Sequence, residues 1–255
     1  MSKQYYSNDE QVLRLWDKEN IRDLMARHSY YMANNWRRRE LNELWVRRWD
    51  NQKTASLGNN NGYYVGMDEI SNYYVVQNEE HLYERLKPYA DAGIGVEYSS
   101  LNLGLGQMAM YTTNTHLVEV ADDGLTAQYC ACNNGQITYG RPDGADAYYL
   151  GGMIFADLAK EDGEWKIWRM FIGTDIANRP STKFEDQPVY PPEKYSIGER
   201  EFVREGVGPT MPMMAYTPEY NWYCYPELPF AYDSYDPARG CGYEGNPAYK
   251  KEAQK

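Results

Sequence analysis

Gly151–Ile172, GGMIFADLAKEDGEWKIWRMFI, decides the fold. Two strand-like runs flank a short polar link, Lys160-Glu161-Asp162-Gly163-Glu164. On the first run Met153, Phe155 and Asp157 share one face, and Ile154, Ala156 and Leu158 share the other. On the second, Trp165, Ile167, Arg169 and Phe171 alternate with Lys166, Trp168, Met170 and Ile172. Period-two alternation on both sides of Asp-Gly predicts an antiparallel hairpin, because that dipeptide accepts the positive φ a tight turn needs. Asp157 is the odd member, a carboxylate on an otherwise apolar strand. It either faces solvent and braces a neighbour, or it aims into a cavity.

Immediately upstream, Met108–Val120 alternates too, placing Met110, Thr112, Asn114, His116, Val118 and Val120 on one face. Asp122-Asp123-Gly124 turns the chain into a strand over Thr126–Asn133, Gly140–Ala145 reads as a loop, and Asp146–Leu150 leads into the opening stretch. Further back the period changes. After cap residues Ser7 to Asp9, Val12, Leu15, Trp16, Ile21, Leu24, Met25, His28, Tyr31 and Met32 follow the spacing of one buried helical stripe. Asn34-Asn35 break it, and a short helix follows with Leu41, Leu44 and Trp45 inward. Lys53–Leu57 reads as a first strand, 58–62 as a turn, and Tyr63–Val65 as a short return. A helix then starts near Gly66, with Ile70, Tyr73, Tyr74 and Gln77 on one side, and stops at Pro88. Helices first and antiparallel strands afterwards predict an α+β domain, with helices on one face of a curved sheet.

Bulk composition narrows the function. The chain of 255 residues carries a net charge of -11, which argues against a nucleic-acid partner. Arg37, Arg38, Arg39, Arg47 and Arg48 form a basic cluster, but Glu40 and Glu43 are interleaved, so the cluster reads as a solvated helix face. No run approaches the roughly 18 apolar residues of a spanning helix, and the N-terminus has no apolar leader core, so a cytoplasmic protein without a membrane partner is expected. Cys130, Cys132, Cys224 and Cys241 lack the pairing of a zinc site and are expected to be thiols. G-x-G-x-x-G, P-loop, G-x-S-x-G and H-E-x-x-H motifs are absent, which leaves nucleotide and serine-hydrolase chemistry without support.

After Asn178 the composition shifts: 11 of 13 Pro and 10 of 26 Tyr fall in the remainder. A segment such as YTPEYNWYCYPELPFAYDSYDP is too aromatic for simple disorder and too proline-rich for a packed helix or central strand. Two regions are therefore expected. Residues 9–178 form the domain, and residues 179–255 form an extended arm that lies on that domain or on a neighbouring subunit.

ENIRDLMARHSYYMANN, GMDEISNYY, THLVEVADDGLTAQYCA and GGMIFADLAKEDGEWKIW, in that order, resemble the SnoaL-like branch of the nuclear transport factor 2-like superfamily, which includes scytalone dehydratase and the bile-acid 7α-dehydratase. The likeness covers roughly the first 175 residues and leaves the tail unmatched. It implies a cone-shaped sheet wrapped around the N-terminal helices, with a deep pocket used for cofactor-free dehydration, isomerisation, epoxide opening or cyclisation, or for binding alone. The family's pocket His, general acid and base, matches His116, and its helix-one Tyr falls nearest His28, Tyr30 and Tyr31. Where the family places an Asp near the end of that helix, this chain has Ala33, Asn34 and Asn35. The isomerase-type Asp is missing as well, since Ala55, Ser56 and Leu57 occupy that region.

The resulting expectation is a dehydratase-type lyase or isomerase, with no cofactor and no metal, acting on a flat hydroxylated cyclic or aromatic small molecule. His116 would remove a proton beside a carbonyl, Tyr30 or Tyr31 would hold the oxygen, and His28 or Asp157 would assist the leaving hydroxyl. Asn114, Asp146, Met110, Phe155 and Trp168 are the expected substrate-lining residues. The alternative is a non-catalytic binding or assembly module of the same fold. Epoxide or ester hydrolysis, with an Asp and a water-orienting Asn such as Asn114, is a third reading. The resemblance also implies a homo-oligomer, dimer or trimer, and the composition of the tail fits an arm at the subunit interface.

Overall fold

Six strands, β1 (Ser56–Asn59), β2 (Gly62–Val65), β3 (Gln107–Val120), β4 (Thr126–Arg141), β5 (Gly144–Glu161) and β6 (Glu164–Asn178), form one sheet in the order β2-β1-β6-β5-β4-β3. The structure is a computed structural model and describes residues 7–59, 62–94, 107–181 and 228–245. The Cys224 thiol and most of the Pro- and Tyr-rich tail lie outside the described residues.

The opening stretch is the β5–β6 hairpin, closed by Glu161 opposite Glu164. Asp162 and Gly163 both take positive φ, 52° and 86°, the conformation of a two-residue turn whose twist matches the strands it joins. β3, β4, β5 and β6 are antiparallel neighbours, but β1 runs parallel to β6, so the sheet is mixed rather than purely antiparallel. Register shifts between Asn114 and Leu117, at Gly151/Gly152, and at Asp157/Leu158 mark bulges, which bend the sheet. The last of these reverses the phase of β6. Trp165 and Ile167 join the helix-facing core, as do Met170 and Ile172, whereas Arg169 and Phe171 take the opposite face.

Among the described residues five helices precede β3: α1 (Asn8–Ala33), α2 (Arg37–Leu44), α3 (Trp49–Thr54), α4 (Met67–Ser71) and α5 (Asn78–Asp91), with a π-helical stretch at Asn72–Gln77. Ser7 caps α1 through a reciprocal pair with Glu10. Ile21, Leu24, Met25, His28 and Tyr31 are buried against the sheet as the stripe predicts, but Val12, Leu15 and Trp16 are exposed. Arg14 already reaches the carbonyls of Val120 and Ala121, where β3 ends, so the first turns of α1 overhang the sheet. Lys53 belongs to α3 rather than to a strand, and β1 starts at Ser56. Pro88 does not stop α5, which continues through it to Asp91. The loop expected at 140–145 is instead strand on both sides of a tight turn. No helix among the described residues is long and apolar enough to cross a membrane.

The sheet has two covered faces. Helices pack on one side over Val118, Tyr129, Ile154, Ala156, Leu158, Ile167 and Met170. On the other side Tyr63, Cys130, Phe155 and Phe171 cluster with Cys241 of the 228–245 segment.

Candidate functional site

Glu40 has no exposed surface, although it stands in the basic run Arg37 to Arg39. Leaving a carboxylate in such a place costs several kcal/mol unless donors surround it. Three do: His28 Nδ1 lies 2.8 Å from Oε1, Trp45 Nε1 donates to Oε1 at 3.2 Å, and the Tyr74 hydroxyl donates to Oε2 at 2.8 Å. α1 brings His28, α2 brings Glu40 and Trp45 follows it, and the π-helical stretch brings Tyr74. An ionised carboxylate only accepts, so opposite one Nδ1 carries a hydrogen, and in the neutral ring Nε2 then keeps its lone pair. Burial, with the Glu40 charge beside it, pushes the Tyr74 phenol well above its ordinary pKa, which keeps it a donor.

His28 also lines a cavity of about 120 Å³ between α1 and the sheet. Ser29, Met32, Tyr111, Asn133, Leu150, Ile172 and Thr174 complete most of its wall. The bulge at Gly151/Gly152 shapes the floor. A Cβ on Gly152 would meet the Gly173 carbonyl oxygen at 2.0 Å, so only glycine allows the strands this approach. Burial pushes the Tyr111 phenol up to about 12, so it faces the cavity as a protonated donor. The cavity thus combines an imidazole with a fixed tautomer, a neutral phenol and the Asn133 amide.

Of the residues singled out from sequence, His28 alone lines this cavity. His116 sits in the β3 bulge beside Thr115, whose φ is 55°, and is exposed while its Nδ1 contacts the Tyr129 hydroxyl at 2.8 Å. It stays on the side of Val118 and the core residue Tyr129 but outside the cavity lining, and the bulge instead takes Met110 and Asn114 off that face. Tyr30 is exposed, and the buried Tyr31 turns its hydroxyl to Glu43 at 2.6 Å. Asn114 and Met110 are exposed, and Asp146 pairs with Arg141 at 3.2 Å. Phe155 packs on the opposite side of the sheet, and Trp168, the extra residue of the β6 bulge, donates to Asn51 and Thr54.

Asp157 also belongs to that opposite side, where it accepts from the Tyr235 hydroxyl and from the Cys241 backbone N–H, both at 2.9 Å. Its cross-strand partner Arg169 donates to Thr54, to Tyr235 and, with both Nη atoms, to Glu244. Burial raises the Asp157 pKa against the donors that lower it. This carboxylate is therefore the brace of the 228–245 segment, not a wall of the cavity. Cys130 and Cys241 are buried free thiols, and Cys132 is half-buried. Among the described residues no three His, Cys, Asp or Glu side chains gather where a metal ion could be held.

Sequence spacing does not single out Tyr74, Tyr111 and Asn133, but Glu40 carries a signal. It lies four residues before Leu44 and so shares the inward stripe of α2.

The sequence model of one family, described as a SnoaL-like domain, matches residues 13–170. No curated protein sequence matches the chain. Among solved structures, a protein provisionally named a scytalone dehydratase, from Novosphingobium aromaticivorans, is 13% identical, with 67% of this chain and 91% of that one covered and a TM-score of 0.45. A hexachlorocyclohexane dehydrochlorinase, LinA-type3 from Novosphingobium barchaimii LL02, is 12% identical over 71% of this chain and 99% of that one, with a TM-score of 0.45. An NTF2-like protein with a cystatin-like fold, again from Novosphingobium aromaticivorans, is 14% identical over 72% and 94%, with a TM-score of 0.43.

Proposed function

We propose from one premise, that the chain belongs to the SnoaL-like family, a lyase- or isomerase-type activity in which His28 is the general base. The observation that carries the reading is the Nδ1 contact of His28 with buried Glu40, made by a ring that lines the cavity. Glu40 holds the tautomer and stabilises the imidazolium that forms. Nε2 would take a proton from the carbon beside a carbonyl, and the C–H electron pair would move onto the carbonyl oxygen as an enolate. Tyr111, a protonated phenol, and the Asn133 amide line the same cavity and would donate to that oxygen. Transfer of that proton from the imidazolium to a β-hydroxyl as the enolate collapses would break the C–O bond, release water and complete a dehydration. Return of the proton at another carbon would instead give isomerisation. General-base catalysis of this kind contributes roughly 10²–10⁴-fold.

Exchange of the α-protons of a small cyclic β-hydroxyketone in D₂O, followed by proton NMR, tests the step without requiring the natural substrate. The wild-type chain should accelerate exchange, His28→Gln should lose that acceleration, and His116→Gln should keep it. Exchange that survives His28→Gln and disappears with His116→Gln would return the base to the bulge. The small volume of the cavity, about 120 Å³, favours a second reading, a module that binds a small ligand without turnover. Ligand binding with no exchange in the wild-type chain would support it.

A further inference from the structure

A larger cavity, of about 430 Å³, opens in the helical layer and shares no wall residue with the one that His28 lines. Its size falls within the roughly 300–1,000 Å³ of small-molecule sites. Leu41, Val46 and Val75, all buried, give it an apolar floor together with Met67. The rest of the wall is polar. Asn42 and Gln52 bring amides, Ser71 a hydroxyl, and Arg38, Arg47 and Asp68 bring charges. Gly66, at a φ of 86°, turns the chain from β2 into α4 and so carries Met67 and Asp68 to this wall. The π-helical stretch supplies Val75 here and the Tyr74 donor to Glu40 on the side of His28. Such π-helical turns recur where a helix serves a site.

The charges differ in what answers them. Arg38 donates to Glu79 from Nε at 3.1 Å and from Nη2 at 2.7 Å, so its charge is balanced within the protein. The Arg47 guanidinium and the Asp68 carboxylate have no hydrogen-bond or ion-pair partner among the described residues, and they do not pair with each other. The acids nearest Arg47 in the chain fold are already engaged. Glu161 accepts from the Arg47 and Arg48 backbone and from Asn51, Asp162 pairs with Arg48, and Glu164 pairs with Lys166. Two opposite charges on one wall, held apart above an apolar floor, are complementary to a molecule that carries both signs and an apolar body.

We infer that this cavity is a binding site for a free α-amino acid with an apolar side chain. Arg47 receives the carboxylate in a planar fork, and Asp68 accepts from the ammonium group. The floor of Leu41, Val46 and Val75 takes the side chain. A molecule with a single charge would leave either Arg47 or Asp68 with water alone. The assignment goes beyond the His28 reading and does not depend on it.

L-leucine, N-acetyl-L-leucine and L-leucinamide, titrated by calorimetry into the full-length chain, test this directly. They share a side chain, and at about pH 6 only leucine carries both charges, because the leucinamide amine is then still protonated. Leucine should bind roughly tenfold more tightly than either analogue, the worth of one hydrogen-bonded contact between charged groups. Arg47→Gln should lower leucine affinity to that of leucinamide for the wild-type chain, and Asp68→Asn to that of N-acetyl-leucine. Both side chains are exposed, so both variants should fold. His28→Gln should bind leucine as the wild-type chain does while losing proton exchange, so the two sites can fail independently. Absence of leucine binding, an analogue that binds as tightly as leucine, or a leucine affinity that either substitution leaves unchanged would overturn the assignment. Weaker leucine binding in His28→Gln would also overturn it, by moving the ligand to the smaller cavity.

Discussion

The two faces of the sheet each bury an acid against a base, and among the described residues the pair on the helix side borders a cavity. On the helix side, Glu40 meets His28, and that imidazole opens onto a cavity. On the other side, Asp157 stands across the strands from Arg169, with Tyr235, Glu244 and the Cys241 N–H closing over them. Burial is equal: His28 is 3% exposed, Glu40 0%, and Asp157 and Arg169 2% each. What differs is the partner and the access. A histidine keeps a second nitrogen for a ligand after its first is committed, whereas every donor of Arg169 that can be traced points into protein. Burial of charge is thus a poor marker of a site, and burial beside a void is a good one.

Breaking the sealed pair should give the largest effect, and on stability alone. Arg169→Ala strands Asp157 and removes the contacts to Thr54, Tyr235 and Glu244, for an expected loss of about 3–5 kcal/mol in urea unfolding. Proton exchange per folded molecule should stay at the wild-type level. A fall in exchange without a fall in stability would join the two faces into one functional unit.

Glu40→Gln attacks the open pair. Glutamine keeps the shape but lets the His28 tautomer vary, so exchange should fall by roughly 10–100-fold. The nitrogen NMR signals of the His28 ring should change from one tautomer to a mixture. An unchanged tautomer with lost exchange would mean that Glu40 only packs. Tyr235→Phe is smaller again. It removes the donor to Asp157 and an acceptor for Arg169, at an expected cost of about 1–3 kcal/mol, and leaves exchange untouched.

The comparison also explains what could be read from the chain in advance. The β5–β6 hairpin was legible because Asp162-Gly163 and the alternation on β5 act locally, and the faces of Met153, Phe155 and Asp157 follow directly. The bulges were not legible. Thr115 and Trp168 each add one residue to a strand, and across them the face assignment reverses, which took Met110 and Asn114 off the Val118 side and separated Arg169 from Ile167. The site was half-legible. His28 stood on a helical stripe, but its partner lies 12 residues on in another helix, and whether a stripe position faces oil or a void is set by the sheet opposite it. Glu40 was masked by its arginine neighbours, because charge runs on helices usually face water.

His116 supplies the smallest and most discriminating test, since it separates a histidine at the edge of the core from one inside it. Burial and the nearby Arg22 charge hold its imidazole below the ordinary value near 6.5. The unfolded chain therefore takes up a proton at a higher pH than the folded one, and stability must rise with pH in that interval. The contribution is complete above the unfolded value and is lost as pH falls through the folded one, when charging His116 also disturbs its contact with the Tyr129 hydroxyl. His116→Gln should flatten the unfolding free energy between about pH 7 and pH 5 relative to the wild-type chain. The change should be slight, because the side chain is largely solvated. A steep dependence that vanishes in His116→Gln would place this imidazole in a far less hydrated setting than the bulge provides.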